Sequence, residues 1–259
     1  MTSVIRLRER QPGETQAAFT LRQQAAGLTW SPYSILTDPD LVGVVRPADQ
    51  FMHDWCHCLL CSGVWNQTTH QLLEQFHASG FTNVYQQLHD YISNWRAPSR
   101  AEKAGQAHSI FDPTRRSGNV KAESFRCQAS EALGVYMIVA CFLRRVCLPA
   151  GRCVDACAAY LSLANLVHCI TAIPRGQVTP GTLRFYVHQF LALYVVAFDV
   201  YIPPKFHWLL HLAREYQRFG TLQSCLCHER KHKIMRRYGN NIMNTSTFEF
   251  SMISEVLRC

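Results

Sequence analysis

The sequence predicts a mainly α-helical protein, and three observations indicate this fold class. Apolar residues recur at helical spacing, Pro and Gly lie at the ends of these stretches, and patterns typical of strands are thin. The 259 residues are 48% hydrophobic and 17% charged, which is enough apolar material for a core and excludes global disorder.

The N-terminal part, residues 1–95, is predicted to be a helical segment. A first helix is expected at Thr15–Ala26, where Thr15 is a capping residue and a Gly follows the last position. A second helix, Val64–Ser79, has apolar residues at helical spacing and stops before a Gly. Thr82 then caps a third, amphipathic stretch.

Residues 96–120 are predicted to be a linker, because they contain Pro, Gly and several charges without an apolar period. The C-terminal part, residues 121–259, is predicted to be a bundle of longer apolar helices that ends in a basic helix carrying one Glu. Its predicted helices are Lys121–Cys147, Arg152–Ile173, Pro180–Val200, Lys205–Phe219 and Leu222–Tyr238.

Composition also bears on the cellular environment. The first thirty residues are polar and charged, which is not typical of a secretory signal peptide. The longest apolar run, Leu133–Leu143, has 11 residues, too few to cross a bilayer. We therefore expect a soluble, intracellular protein without a membrane partner. Its twelve cysteines are expected to be reduced, and most of them to act as small buried hydrophobes.

A first cluster of candidate functional residues begins at Asp54. Asp54 and His57 are three apart and can share one helical face, where the carboxylate orients the imidazole or both face a metal. Cys58 and Cys61 form a CxxC pair in the same stretch. A single CxxC is weak support for zinc, because a structural site needs four ligands.

A second candidate is the pair His207 and His211, one helical turn apart. Zinc proteases use this spacing with a Glu directly after the first His, but Trp208 occupies that position here, which argues against a metalloprotease. The alternative is a helix with two partly buried, hydrogen-bonded histidines.

A third candidate is the basic segment 229–237. Glu229 is its only acid, so it is either a salt-bridge partner or a ligand of a divalent metal beside a phosphate. A strip of this charge can bind a nucleic-acid backbone, or it can be a solvated helix with pairs such as Glu229 and Lys233. The basic residues are Arg230, Lys231, Lys233, Arg236 and Arg237.

Taken in order, these segments resemble the C-terminal half of eukaryotic DDE/D cut-and-paste transposases, in particular the CACTA and Kyakuja–Dileera–Zisupton groups. The family has an Asp/Cys-x-x-His motif with a Gly-Val step, a long helical insertion, a Pro-Lys-x-His-x-x-x-His segment, a Phe-Gly pair and a Glu-x-Lys-His segment. The similar stretches here are Asp54–His57 with Gly63-Val64, Ala129–Leu143 with the helices after it, Pro204–His211, Phe219-Gly220 and Glu229–Lys233.

The resemblance implies a helical insertion bundle together with the partial remnant of an RNase-H-like catalytic core. In the complete core of this family, three carboxylates hold two Mg²⁺ or Mn²⁺ ions. The resemblance implies that Glu229 is the third acid and metal ligand, and that Asp54 and His57 lie beside it in the active site. It also implies that the basic residues at 230–237 contact DNA and that neighbouring histidines orient the metal ligands. Those histidines are His207, His211 and His232.

The other two acids are not identified, since no motif chooses among Asp38, Asp40 and Asp49 for the second. We therefore expect a truncated or decayed copy that is inactive alone. It would act in the nucleus on DNA, as a homo-oligomer or together with a full-length transposase.

Two further hypotheses stay open. The chain can be a non-enzymatic DNA- or protein-binding helical module that keeps the basic surface without chemistry. It can also be a structural zinc protein, which is not favoured because no four-ligand spacing is complete. The two zinc sets are Cys56, His57, Cys58 and Cys61, or Cys225, Cys227, His228 and His232.

Overall fold

The computed structural model describes residues 10–26, 40–41, 44, 50–95 and 107–225. The chain divides into two compact units, Met1–Met52 and His53–Cys259. Among the described residues, one α-helix lies in the first unit and eight lie in the second.

The first unit contains helix α1, Gln16–Ala26. The hydroxyl of Thr15 accepts a hydrogen bond from the amide of Ala18 at 3.2 Å, as a capping side chain does. Ahead of the helix, the carboxylate of Glu14 forms an ion pair of 2.7 Å with Arg22. The first predicted helix is thereby confirmed, with its start one residue later.

The second unit is a bundle of α-helices. The π-helical turn Leu143–Cys147 extends one of these helices, and short 3₁₀ turns lie at 107–111, Pro113–Arg115 and Ile173–Arg175. In chain order the α-helices are α2 Trp55–Leu59, α3 Val64–Ala78, α4 Val84–Ser93, α5 Arg116–Lys121, α6 Ala129–Phe142, α7 Val154–Ala172, α8 Pro180–Ala197 and α9 Pro204–Phe219.

Helix α7 is the centre of the bundle and packs against α8, α3 and α6. Its Tyr160 is fully buried and accepts a hydrogen bond of 3.1 Å from the indole of Trp65 on α3. The stretch Val154–Arg175 is long and apolar enough to cross a membrane by length and composition alone. Because 72% of its most apolar window is buried in the bundle, this is only weak evidence for a membrane.

Local signals set the ends of α8 and α9. Thr179 caps α8, since its hydroxyl accepts a hydrogen bond of 3.1 Å from the amide of Thr182. Gly220 ends α9 in the left-handed conformation, at φ +69°. The two helices pack through aromatic rings, with the centroids of Tyr194 and Phe206 4.5 Å apart.

Two stretches differ from the sequence prediction. The predicted helix Lys121–Cys147 begins only at Ala129. Residues 122–128, directly before it, are not helical, because Phe125 forms two hydrogen bonds with Asn66. The amide of Phe125 donates to the backbone carbonyl of Asn66 at 3.2 Å, and the carbonyl of Phe125 accepts from the Asn66 side chain at 2.8 Å. Within the predicted linker, residues 107–120 form short helices whose Ile110 and Phe111 are fully buried. This part of the segment therefore belongs to the core.

Every regular element among the described residues is helical, which confirms the mainly α fold class. Most predicted helices start and end within three residues of the observed bounds, because Pro, Gly and capping residues act locally. The predicted helix Leu222–Tyr238 is wrong at its start, since residues 222–225 are irregular chain, and the rest of it lies outside the described residues.

Candidate metal centre

The Asp54-x-x-His57 motif forms the start of the short helix α2. One carboxylate oxygen of Asp54 accepts hydrogen bonds from the amides of Cys56 and His57, at 2.8 and 3.3 Å. The other lies 3.0 Å from Nδ1 of His57. Asp54 therefore both caps α2 and orients the imidazole, as one of the two interpretations of this motif predicts.

The chain that follows α9 docks onto this turn. The amide of Trp55 donates a hydrogen bond of 3.1 Å to the carbonyl of Gln223. Two residues later, the sulfur of Cys225 lies 3.0 Å from Nδ1 of His57. Residues 168 positions apart in the sequence thus share one site.

Three thiols converge there. The sulfur atoms of Cys56 and Cys61 are 3.8 Å apart, and those of Cys56, Cys61 and Cys225 all lie within 4.8 Å of one another. The tight turn after α2 produces this pairing, because the amides of Leu60 and Cys61 both donate to the carbonyl of Cys56, at 2.7 and 3.1 Å. Ser62 continues the turn in the left-handed conformation, at φ +48°.

A second group overlaps with the thiols. It consists of Asp54, His57 and Cys225, each of which offers one ligand atom, and these three atoms also lie within 4.8 Å of one another. Because Cys225 belongs to both groups, the site offers three thiols together with an imidazole or a carboxylate. This donor set suits zinc, whereas Mg²⁺ and Mn²⁺ prefer oxygen ligands.

The thiols of Cys56 and Cys225 have raised pKa values. Burial is the main cause that raises the pKa of Cys225 to about 12, and the nearby carboxylate of Asp54 acts in the same direction. The hydrogen bond with Cys61, together with burial, also raises the pKa of Cys56. A metal ion must therefore displace protons from these sulfurs when it binds.

Asp54 itself is ionised. Its partial burial opposes ionisation, but hydrogen bonds from Cys225, His57 and two backbone amides outweigh that effect and lower its pKa. A carboxylate held in this way keeps a negative charge beside the thiols.

Lys205, from the first turn of α9, places a positive charge against the turn. Its ammonium group donates to the carbonyl oxygens of Cys61 and Ser62, at 2.7 and 3.2 Å. The Pro-Lys step noted in the sequence thereby connects α9 to the turn after α2.

Cys58 does not join the cluster. Its side chain is 1% exposed within the core, and burial raises its pKa to about 12. Among the described residues, Cys58 and Cys61 therefore do not fall in one group of potential metal ligands. The turn after α2 instead brings Cys61 to Cys56, while Cys58 lies on the buried side of the helix.

His207 and His211 form a separate pair, as their spacing predicts. Their Nε2 atoms are 3.1 Å apart, and His211 stacks on His53 with ring centroids at 5.2 Å. His53 in turn bonds to Glu215 through both its amide and its ring. His53 and Glu215 were not among the predicted site residues, although Glu215 follows His207 and His211 at the same four-residue interval.

The remaining predicted site residues lie outside the described residues. Of the candidates for the second acid, Asp38 and Asp49 also lie outside them, and Asp40 belongs to the first unit. The predicted site residues of the C-terminal segment that lie outside the described part of the chain are Cys227, His228, Glu229, Arg230, Lys231, His232, Lys233, Arg236 and Arg237.

Comparison with known proteins identifies no relative: no family model, no curated protein and no solved structure matches this chain.

Proposed function

We propose that this chain is a transposase-derived helical module that binds DNA through residues 230–237. The RNase-H-like remnant implied by the resemblance is part of this proposal, whereas the described residues contain helices only. Glu229 is the acid that would hold a divalent ion beside the DNA phosphate. Because the other two acids are not identified, the proposed activity of the isolated chain is binding, not strand transfer.

The observation that carries the proposal is the contact between Cys225 and His57, at 3.0 Å. Glu229 follows Cys225 by only four residues in the sequence, so the basic segment is joined to the Asp54–His57 turn by a short stretch of chain. This contact supports the proposal, because Cys225, the last described residue before the basic segment, lies at the Asp54–His57 turn.

Asp54 has a positioning role in this proposal. Its carboxylate already accepts two amide hydrogen bonds and meets the imidazole of His57. It therefore supports the turn that holds Cys225, and Glu229 is left as the acid for a divalent ion.

The test is the salt dependence of DNA binding by the full chain, measured by fluorescence anisotropy on a duplex of arbitrary sequence. If all five basic residues of 230–237 contact phosphates, log K falls with log salt with a slope of about −4 to −5. The double variant Lys231→Gln, Lys233→Gln should reduce that slope by about 2, because each lost contact removes about 0.9.

The matched control is Arg144→Gln, Arg145→Gln, which removes the same charge from two exposed residues on the π-helical turn. It should leave the slope within about 0.5 of the wild-type value. Equal losses in the two double variants would mean that binding depends on net charge alone. Absence of DNA retention at low salt would contradict the whole proposal.

A second measurement concerns Glu229. In this proposal, any Mn²⁺-dependent nicking of DNA disappears in Glu229→Gln while DNA binding remains. Nicking that survives this substitution contradicts the role of Glu229. Binding without nicking in both proteins supports the non-enzymatic form of the module.

A further inference from the structure

We propose that this chain contains a structural zinc site, which fastens the segment after α9 onto α2. This inference does not rest on DNA binding or on the transposase resemblance. Its ligands are Cys56, Cys61, Cys225 and His57.

The sulfur positions match the geometry that zinc requires. Tetrahedral zinc with Zn–S bonds of about 2.3 Å places two thiolate sulfurs about 3.8 Å apart. The sulfurs of Cys56 and Cys61 are 3.8 Å apart. Cys225 lies within 4.8 Å of both, so a shift of about 1 Å or less completes a three-sulfur face.

His57 is the fourth ligand. Its Nδ1 is 3.0 Å from the sulfur of Cys225, and in a tetrahedral zinc site this nitrogen–sulfur distance is about 3.6 Å. The same nitrogen also lies 3.0 Å from the Asp54 carboxylate, so zinc binding must replace that contact. Because the imidazole is half exposed, the ring can turn from Asp54 toward the three sulfurs without disturbing the core. Asp54 is the weaker candidate, because one of its oxygens holds the two amides of α2.

The negative charge of such a site is also partly compensated. Three thiolates, a neutral imidazole and Zn²⁺ carry a net charge of about −1. The ionised carboxylate of Asp54 beside it adds a second negative charge. The ammonium group of Lys205, which lies against the carbonyl of Cys61 in the same turn, offsets part of this charge.

The site joins parts of the chain that are far apart in the sequence. Cys61 and Cys225 are separated by 164 positions, and Cys225 lies in irregular chain after Gly220 has ended α9. A zinc ion between them holds this irregular segment in place, in addition to the backbone hydrogen bond from Trp55 to Gln223. Zinc thus sets the point from which residues 226–259 continue.

The first test is the zinc content of the untagged full chain, purified without chelators and measured by plasma mass spectrometry. We expect about one zinc per chain for the wild type, and less than about 0.2 for Cys225→Ser and for Cys61→Ser. The control Cys141→Ser removes a half-buried thiol on α6, away from the cluster, and should keep the zinc.

The second test uses cobalt in place of zinc. Co²⁺ should give the visible bands of tetrahedral coordination and the near-ultraviolet band of thiolate ligands, and Cys225→Ser should weaken both. Far-ultraviolet circular dichroism is recorded for every variant, so that loss of metal is separated from loss of fold.

Folded wild-type protein with less than about half a zinc per chain, and with no cobalt spectrum, overturns the inference. Zinc that is retained in Cys225→Ser but lost in Cys58→Ser overturns the ligand assignment in favour of the CxxC pair. DNA binding is scored separately, so failure of the zinc site and failure of the proposed function are distinguishable.

Discussion

Gly63, directly after the cysteine-bearing turn, is the position where a single methyl group should be most damaging. A Cβ atom there would lie 2.4 Å from the carbonyl oxygen of Cys58, and 2.6 and 2.7 Å from the carbonyl carbon and oxygen of Leu59. All three are backbone atoms, so no side chain can rotate away. The amide of Gly63 is also held by the side chain of Asn66, at 3.0 Å.

The expected cost of Gly63→Ala follows from two opposing effects. Overpacking of a well-packed site costs about 1–3 kcal/mol. Replacing Gly by Ala also reduces the conformational entropy of the unfolded chain, which stabilises the protein by about 0.4–1 kcal/mol. Because the clash involves three backbone atoms, the overpacking cost should lie near the upper end of its range, about 3 kcal/mol, and the variant should lose about 2–2.6 kcal/mol of unfolding free energy.

Urea unfolding followed by circular dichroism measures this change, with the same buffer for all proteins. Gly118→Ala is the matched control: Gly118 lies in helix α5, and a Cβ atom at this position would meet no heavy atom within 4 Å. There the same substitution should stabilise the protein by about 0.5–1 kcal/mol. If Gly63→Ala is as stable as the wild type, or shifts in the same direction as Gly118→Ala, the reasoning from close backbone contacts is refuted.

Two further predictions concern buried polar groups of α3. Burial lowers the pKa of His70 below its usual 6.5, so the unfolded chain takes up a proton that the folded one resists. The unfolding free energy should therefore decrease as the pH falls from about 6.5 through the lower pKa of the folded state. His70→Gln should reduce this pH-dependent loss, whereas His168→Gln, at an exposed position, should not. Parallel pH profiles of urea unfolding in the wild type and both variants would contradict the role of His70. Asn66→Ala leaves the amide of Gly63 and the carbonyl of Phe125 without their side-chain partner. It should lower the unfolding free energy by about 2–4 kcal/mol in the same assay, and a loss below about 0.5 kcal/mol would contradict this prediction.

The helices were predictable because their signals are local. Thr179 with Pro180 marks the start of α8, and Gly220 marks the end of α9, through the conformations and hydrogen bonds of neighbouring residues. The break at 122–128 was not predictable in this way. It depends on hydrogen bonds between Asn66 and Phe125, which are 59 positions apart.

The candidate site shows the same division. Asp54 and His57 were predicted to face one another, because their spacing along a helix brings them together. The spacing of Cys58 and Cys61 does not say which of the two side chains the core takes up: Cys58 is buried, whereas Cys61 lies beside Cys56.

The amino-acid sequence by itself determined the helical class and the local Asp54–His57 contact, since both arise from interactions between residues a few positions apart. Only the tertiary structure decided that Cys56 and Cys61 face Cys225, because that meeting requires α9 to pack beside α2 and the chain to turn back at Gly220. Contacts between residues so distant in the chain depend on how whole helices bury their apolar faces, and no short pattern in the sequence records that arrangement.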